Sequence, residues 1–499
     1  MYEAQQRTPI RFGTDGWRAI IAEDYTFANL ERVAQAYADY IHHQNSLASV
    51  ASIESCAGSS GKQSHHILPL IVVGYDRRFL SERFAERVVE VLASNGICVA
   101  VFTEAVPTPL VSWAVREQQA GGGVMITASH NPPEFNGFKI KASWGGSAPP
   151  EITSAVEALI DAQPPQHHAE AIAAICASDA SEFIAAAEKS YRAQVSSYVD
   201  LERLRATKAR VVVDPMHGTG GLWVESFLKG GALGVETIRA TRDPLFGGVA
   251  PEPIDRNLSP LKNRIKETSA LIGLATDGDA DRVGAVNELG ETMTMHEVVP
   301  LLLLHLARSR GMTGGVVRTF SQSVLIKRIA TALNLTLYDT PIGFKYIAEL
   351  MLKEDILIGA EESGGIGVRG HIPERDGILN SLLLLEAVIT AGKPPSELVR
   401  EMHREFGEFY FGRTDTHKEV ARGQKLVAML AASPPDAVAN ETVRSVETLD
   451  GTKLLFADES WLLFRQSGTE PVLRIYSEAT SIAKVNRLLN GGAQLAQNA

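Results

Sequence analysis

Three times along this chain a short apolar run breaks into a polar turn and then into helical periodicity, and that recurrence restricts the fold more than any other feature. LPLIVVGYD (68–76) reads as a buried strand, and SERFAERVVEVLASNG after it as an amphipathic helix. GICVAVFTE and GGGVMITASHNP add two strands, the second ending in a polar loop. ARVVVDPMHGTGG repeats the strand and turn, with a helix from about Leu222, and GGVVRTFSQS (314–323) repeats them again. Strands alternating with helices bury both faces of a mostly parallel sheet, so the pattern predicts an α/β fold built from three related units. Identity between the units is too low for a sequence repeat. The tail differs: WLLFRQS and PVLRIYSEA read as strands and SIAKVNRLLNGG as a closing helix, a small C-terminal α+β domain. The expected divisions are residues 1–195, 196–297, 298–408 and 409–499.

Composition narrows the partners. Hydrophobic residues make up 45% of the chain and charged residues 21%, which excludes global disorder. Forty-eight Lys and Arg against 59 Asp and Glu leave a net charge of −11, which argues against a general nucleic-acid or anionic-membrane binder. The three cysteines have no paired spacing, so neither a disulfide framework nor a Cys-rich zinc site is expected. The longest apolar run, Val298 to Ala307, is broken by Pro300 and His305 and is too short to span a bilayer. With no signal-peptide-like apolar core at the N-terminus, a cytoplasmic location is expected. Residues 43–66, rich in Ser, Gly and His, read as a mobile surface insertion, and the Ala-rich stretch 151–195, interrupted by PPQHH, as helices bridging the first two units.

Five segments carry chemistry. Thr127-Ala128-Ser129-His130-Asn131-Pro132, with Lys139 beyond it, puts a hydroxyl, a proton acceptor and a cation near one loop, the parts of an activated nucleophile. As a bare sequence it is equally a Ser/Asn-capped turn. Asp277, Asp279 and Asp281, at alternate positions of DGDADR, can converge on one hard divalent cation such as Mg²⁺. An EF-hand loop fails there, because Arg282 stands where the sharp turn needs glycine and a strand precedes the loop. Arg465-Gln466-Ser467-Gly468-Thr469, with Arg474 beyond, offers a guanidinium fork, two hydroxyls and an exposed amide to a phosphate. Glu361 and Ser363 in GAEESGG could bond sugar hydroxyls, and Phe12 to Arg18 forms a glycine-punctuated turn ending in a cation.

In this order, these five segments resemble the α-D-phosphohexomutase superfamily of phosphoglucomutases and phosphomannomutases. The resemblance implies four domains around a central cleft. It makes Ser129 the phosphorylated serine and a further metal ligand through its phosphate, with Asp277, Asp279 and Asp281 holding Mg²⁺. Lys139 becomes general base or positioning cation, His130 its neighbour, and Arg18 and Arg282 stabilise the phosphoryl in transfer. Glu361 and Ser363 become sugar readers, while Arg465, Ser467, Gly468, Thr469 and Arg474 clamp the other phosphate. Glucose 1,6-bisphosphate is implied as activator, with sugar phosphates as the small-molecule partners and monomer or dimer left open. Where dual-specificity and glucosamine-type members carry His after Ser-Gly, this chain has Gly365. His371 in VRGHIPERDG and Lys345 in TPIGFK resemble substrate contacts of glucose-preferring members. The implied activity is glucose 1-phosphate/6-phosphate interconversion. The alternatives are a phosphomannomutase or dual-specificity enzyme, a glucose 1,6-bisphosphate synthase, and a non-catalytic phosphosugar-binding protein.

Overall fold

A computed structural model of the chain describes residues 8–13, 15–55, 69–168, 179–468 and 471–498. Its first sheet runs Trp17–Ile20, Phe135–Ala142, Gly122–Ile126, Ile71–Tyr75, Val99–Val101 in spatial order, and its second Thr292–Met293, Val283–Asn287, Ile272–Thr276, Arg210–Asp214, Gly234–Thr237. In both, the last three strands are parallel and the first two join antiparallel. The third sheet, Ile366–Val368, Ile356–Ala360, Gly315–Thr319, Leu337–Thr340, repeats that pairing without the outer edge strand. The three apolar runs of the sequence are thus the same strand in three copies of one unit. The fourth sheet, Tyr410–His417, Val472–Ala479, Trp461–Gln466, Thr452–Leu455, Ser445–Glu447, is antiparallel throughout. Helices Val420–Ala432 and Ile482–Asn498 cover it, burying Leu426, Leu430, Val485 and Leu488 against Leu462 and Ile475.

The repetition positions the chemistry. In each unit one central strand (Gly122–Ile126, Ile272–Thr276 or Ile356–Ala360) is followed directly by a polar loop: TASHNP, DGDADR or EESGG. Open α/β sheets bind ligands beyond the carboxyl ends of such strands. All three strands are buried on both faces, which is why each reads as an unbroken apolar run.

Between the units lies a shared core. Helix Gly377–Ala391 is buried from Gly377 to Val388, Asn380, Ser381 and Glu386 included, and its leucines belong to one continuous apolar cluster whose members come from all four domains, from Val72 to Trp461. Leu383→Ala should therefore destabilise the protein by about 2–5 kcal/mol, the range for a core leucine leaving a cavity. A denaturant titration would show it as a lower midpoint at unchanged slope.

One expectation changes. Residues 43–55 are no loop but the last turns of helix Phe27–Ser55. That stretch has no Gly or Pro, and a helix already nucleated on buried Leu30, Val33, Ala34 and Tyr37 propagates through it cheaply. The rest of the proposed insertion, 56–66, lies outside the described residues. The apolar run around Pro300 is helix Met295–Leu304, started by a Thr294/Glu297 capping box. Among the described residues no helix is long and apolar enough to cross a membrane.

Candidate active site

Ser129 sits in the loop after Gly122–Ile126 with a left-handed backbone, φ 53°, a conformation that costs a non-glycine residue energy and is held by its surroundings. Thr127 Oγ1 donates to Asp76 Oδ2 (2.6 Å) and accepts from Ser129 N (2.8 Å). The fully buried guanidinium of Arg78 donates to the carbonyls of Ser129 (2.7 Å), Asn131 (2.6 Å), Pro132 (2.7 Å) and Phe135 (3.0 Å), and its Nε lies 3.2 Å from Asp76. One arginine therefore serves four carbonyls of an irregular loop, of which Pro132 O also accepts from Phe135 N (3.1 Å).

The serine hydroxyl donates to Asp277 Oδ2 (2.8 Å) and lies 3.2 Å from His130 Nδ1. Asp277, Asp279 and Asp281 are all fully buried, with one oxygen of each within 4.8 Å of the others. A Cβ on Gly278 would stand 2.5 Å from the Ser129 carbonyl oxygen, so the two loops meet this closely only because position 278 is glycine. Asp279 Oδ2 accepts from Lys139 Nζ (2.9 Å) and Thr108 Oγ1 (2.7 Å); Asp281 Oδ2 faces Lys139 Nζ (3.3 Å) and Arg375 (3.0 Å). Asp279 Oδ1 and Asp281 Oδ1 are buried with no hydrogen-bond partner among the described residues. Buried carboxylate oxygens are not normally left so.

Charge decides the protonation states. Burial, then Asp279 and Asp281, push the Asp277 carboxyl well above its usual range. Burial acts on Asp279 the same way, but Lys139 and the Thr108 bond outweigh it and hold that carboxyl low. Burial would discharge Lys139, yet Asp15, Asp279 and Asp281 raise it, so it stays an ammonium. His130 is driven well below the usual imidazole range by burial and then by Arg282, Arg18, Lys139 and Arg78, so it is neutral.

The remaining site residues fall into two groups. Arg18 donates to Asn131 Oδ1 (2.7 Å) and lies 3.5 Å from Asp15. Arg282 pairs through its backbone with Gly365, and Val283 N donates to Gly364 O (3.0 Å), so the acidic loop abuts the EESGG loop. Burial pushes the Glu361 carboxyl up to about 7, against Arg375 at 3.7 Å and Arg282; Ser363 is half-buried on the same loop. The second group belongs to the fourth domain: Arg465 and Arg474 are cross-strand partners, Ser467 is buried, and Gly468 is exposed, with open space where a Cβ would stand. Arg465 Nε donates to Asp450 Oδ2 (3.0 Å), which also accepts from Ile342 N (2.8 Å) in the TPIGFK loop. Thr469 lies outside the described residues.

His371 corrects the sequence reading. Its ring is buried, stacked on Trp113 at 5.5 Å, with Nε2 on Asp376 Oδ2 (2.8 Å). That is a packing position between domains, not an open contact for a sugar. Lys345 is half-buried, its ammonium 5.0 Å over the neighbouring Tyr346 ring. The residue that reaches the acidic cluster from that part of the chain stands four places after His371. Arg375 bridges Asp15 (2.8 Å) and Asp281 (3.0 Å), and Glu374 pairs with Lys141 (2.6 Å) and Ser147 (2.6 Å). Lys139 and Lys141 lie on one face of the Phe135–Ala142 strand, two residues apart, so alternation alone could have paired them.

Comparison with known proteins agrees with this layout. Family descriptions matching the chain are "Phosphoglucomutase/phosphomannomutase, alpha/beta/alpha domain I" over residues 9–167, domain II over 189–290, domain III over 295–406, and the C-terminal domain over 417–491. A phosphoglucomutase/phosphomannomutase of Thermococcus kodakarensis is 31% identical over 488 residues, 98% of each chain. A phosphoglucosamine/phosphogalactosamine mutase of Sulfurisphaera tokodaii is 27% identical, over 96% of this chain and 97% of its own. A crystal structure of a candidate phosphomannomutase from Thermus thermophilus superposes with a TM-score of 0.82 at 36% identity, covering 98% of this chain and 100% of its own.

Proposed function

This chain belongs to the phosphoglucomutase/phosphomannomutase family and is an enzyme of the phosphohexomutase type, and we propose that it interconverts glucose 1-phosphate and glucose 6-phosphate through phosphorylated Ser129 and glucose 1,6-bisphosphate. The observation that carries the reading is a buried serine hydroxyl bonded to one of three clustered aspartates, two of which keep an orphaned oxygen. An all-carboxylate donor set with buried oxygens that lack a hydrogen bond among the described residues fits Mg²⁺, which Asp277, Asp279, Asp281 and a phosphate oxygen on Ser129 would hold. Mg²⁺ bound there would supply positive charge to the phosphoryl oxygens.

In the forward transfer a sugar hydroxyl oxygen attacks the phosphorus on Ser129, the P–Oγ bond breaks, the sugar loses its hydroxyl proton and Oγ regains one. Such a step needs in-line placement and charge neutralisation more than covalent help. Arg18 and Arg282 supply fixed cations. Lys139, 2.9 Å from Asp279 and facing Asp281, would serve as general base or positioning cation beside the transferred group. His130, kept neutral by burial and the surrounding cations, is its uncharged neighbour 3.2 Å from Oγ. Glu361 and Ser363 would read sugar hydroxyls, and Arg465, Ser467, Gly468, Thr469 and Arg474 would grip the phosphate that is not moving.

Support for glucose comes from position 365. A Cβ there would stand 2.5 Å from Arg375 Cδ and 2.9 Å from Glu361 Oε2, so Arg375 occupies the room that a histidine would need. Coupled assays with glucose, mannose and glucosamine 1-phosphates, each with Mg²⁺ and the matching bisphosphate, test the reading. The expected result is a kcat/KM for glucose 1-phosphate at least about tenfold above the others, equal to about 1.4 kcal/mol of transition-state discrimination. Equal or faster turnover of mannose or glucosamine 1-phosphate would move the specificity there. Net release of bisphosphate from an external donor would make the chain a synthase.

A further inference from the structure

We infer that Glu478 is a positioning residue, the fixed end of a two-stranded lever that sets where the fourth domain holds Arg465 and Arg474. This rests on the phosphate-clamp reading of those arginines. Glu478 is fully buried where the fourth domain meets the third. Its Oε1 accepts from His296 Nδ1 (2.9 Å) and the Ser323 hydroxyl, and its Oε2 from Val324 N (2.8 Å) and Trp461 Nε1 (2.9 Å). Three of these four donors come from the third domain: His296 on helix Met295–Leu304, and Ser323 and Val324 at the start of helix Val324–Ala332. His296 Nε2 faces the Ser321 carbonyl (3.0 Å), so both ring nitrogens meet acceptors and the ring is fixed at both ends. The same ring stacks on Phe411 of the fourth domain at 3.9 Å. A buried carboxylate with four donors is well satisfied, and removing its charge leaves those donors short.

Strand register supplies the lever. Glu478 pairs with Trp461, and four residues along the same two strands Arg474 pairs with Arg465. At ~3.3 Å per residue the anchored pair and the arginine pair are ~13 Å apart. A ~10° tilt at Glu478 would therefore carry the guanidinium groups ~2 Å. Displacements of about 1 Å at a reacting or gripping group already cost catalysis heavily.

The test is a double-mutant cycle on the full-length protein, with steady-state kinetics on glucose 1-phosphate and a circular-dichroism folding control. Glu478→Gln keeps the shape and removes the charge. It should raise KM about tenfold with a smaller fall in kcat, as loss of uniform binding does. In the Arg465→Ala background the same substitution should change KM less than about twofold, because Glu478 acts through that clamp. A merely structural role predicts equal KM effects in both backgrounds, and that result overturns the inference. A KM effect of Arg465→Ala with none of Glu478→Gln overturns it too, while sparing the clamp. An unchanged KM in Arg465→Ala overturns the clamp reading and the inference with it. Should Glu478→Gln not fold, Trp461→Phe removes one donor and keeps a ring. It should raise KM about threefold and again lose its effect in the Arg465→Ala background; no effect in the native background is a refutation.

Discussion

Replacing Ser129 with alanine is expected to lower mutase turnover by on the order of 10,000-fold or more while leaving the protein folded. Removing the atom that carries a transferred group leaves only what binding and charge can do by themselves, and losses of this size follow deletion of a nucleophile elsewhere. Among the described residues the hydroxyl's shortest bond is to Asp277, whose carboxyl is already pushed up by burial and its two neighbours. Losing a single such bond costs about 1 kcal/mol net, too little to unfold a domain whose loop is held by Arg78 and Thr127. Alanine at φ 53° is no worse placed than serine. Mass spectrometry gives an independent reading: the Ser129 peptide of the native protein should carry a phosphoryl group in part of the sample, and the variant should carry none. Near-native turnover in Ser129→Ala, or phosphate found only elsewhere, would remove the phosphoserine mechanism.

What the sequence makes legible is local. DGDADR, TASHNP and EESGG each hold their chemistry within a few residues, so spacing exposes them, and the apolar strand before each betrays its place in the sheet. Charges that meet only when domains dock cannot be read that way. Asp15 and Arg375 are 360 positions apart yet meet at 2.8 Å. Arg78 looks like an ordinary loop arginine, since arginines are mostly exposed, and only the folded loop shows the carbonyls it serves. The HIPERDG segment draws attention to the wrong residue: its histidine stands out in the sequence, whereas packing turns that ring onto Trp113 and leaves Arg375 to face Asp281. The helix through residue 55 escapes a reading by composition, because Ser-rich content says nothing of how cheaply an existing helix propagates.

Asp279→Asn should raise the dissociation constant for Mg²⁺ on the order of 100-fold and reduce turnover by at least as much. Even residues one step removed from a metal commonly cost about 10–100-fold in affinity, and Asp279 would be a direct ligand with an oxygen that nothing else among the described residues satisfies. The amide keeps the shape and the Thr108 contact but withdraws one negative charge from a fully buried trio. Two effects then oppose. Asp277 and Asp281 repel each other less than three carboxylates do, which eases the free site, and a divalent cation loses a full charge partner. The second effect wins, because attraction of a doubly charged ion for each carboxylate exceeds repulsion between singly charged ones at similar spacing. Lys139, which donates to the same Oδ2 as Thr108, keeps a neutral acceptor there and is left with Asp15 and Asp281 as its charged partners among the described residues. Calorimetric titration of the purified, metal-stripped protein with MgCl₂ reads the affinity without depending on activity. Unchanged affinity in Asp279→Asn, or full turnover of the native enzyme in excess chelator, would take the metal away from these three aspartates.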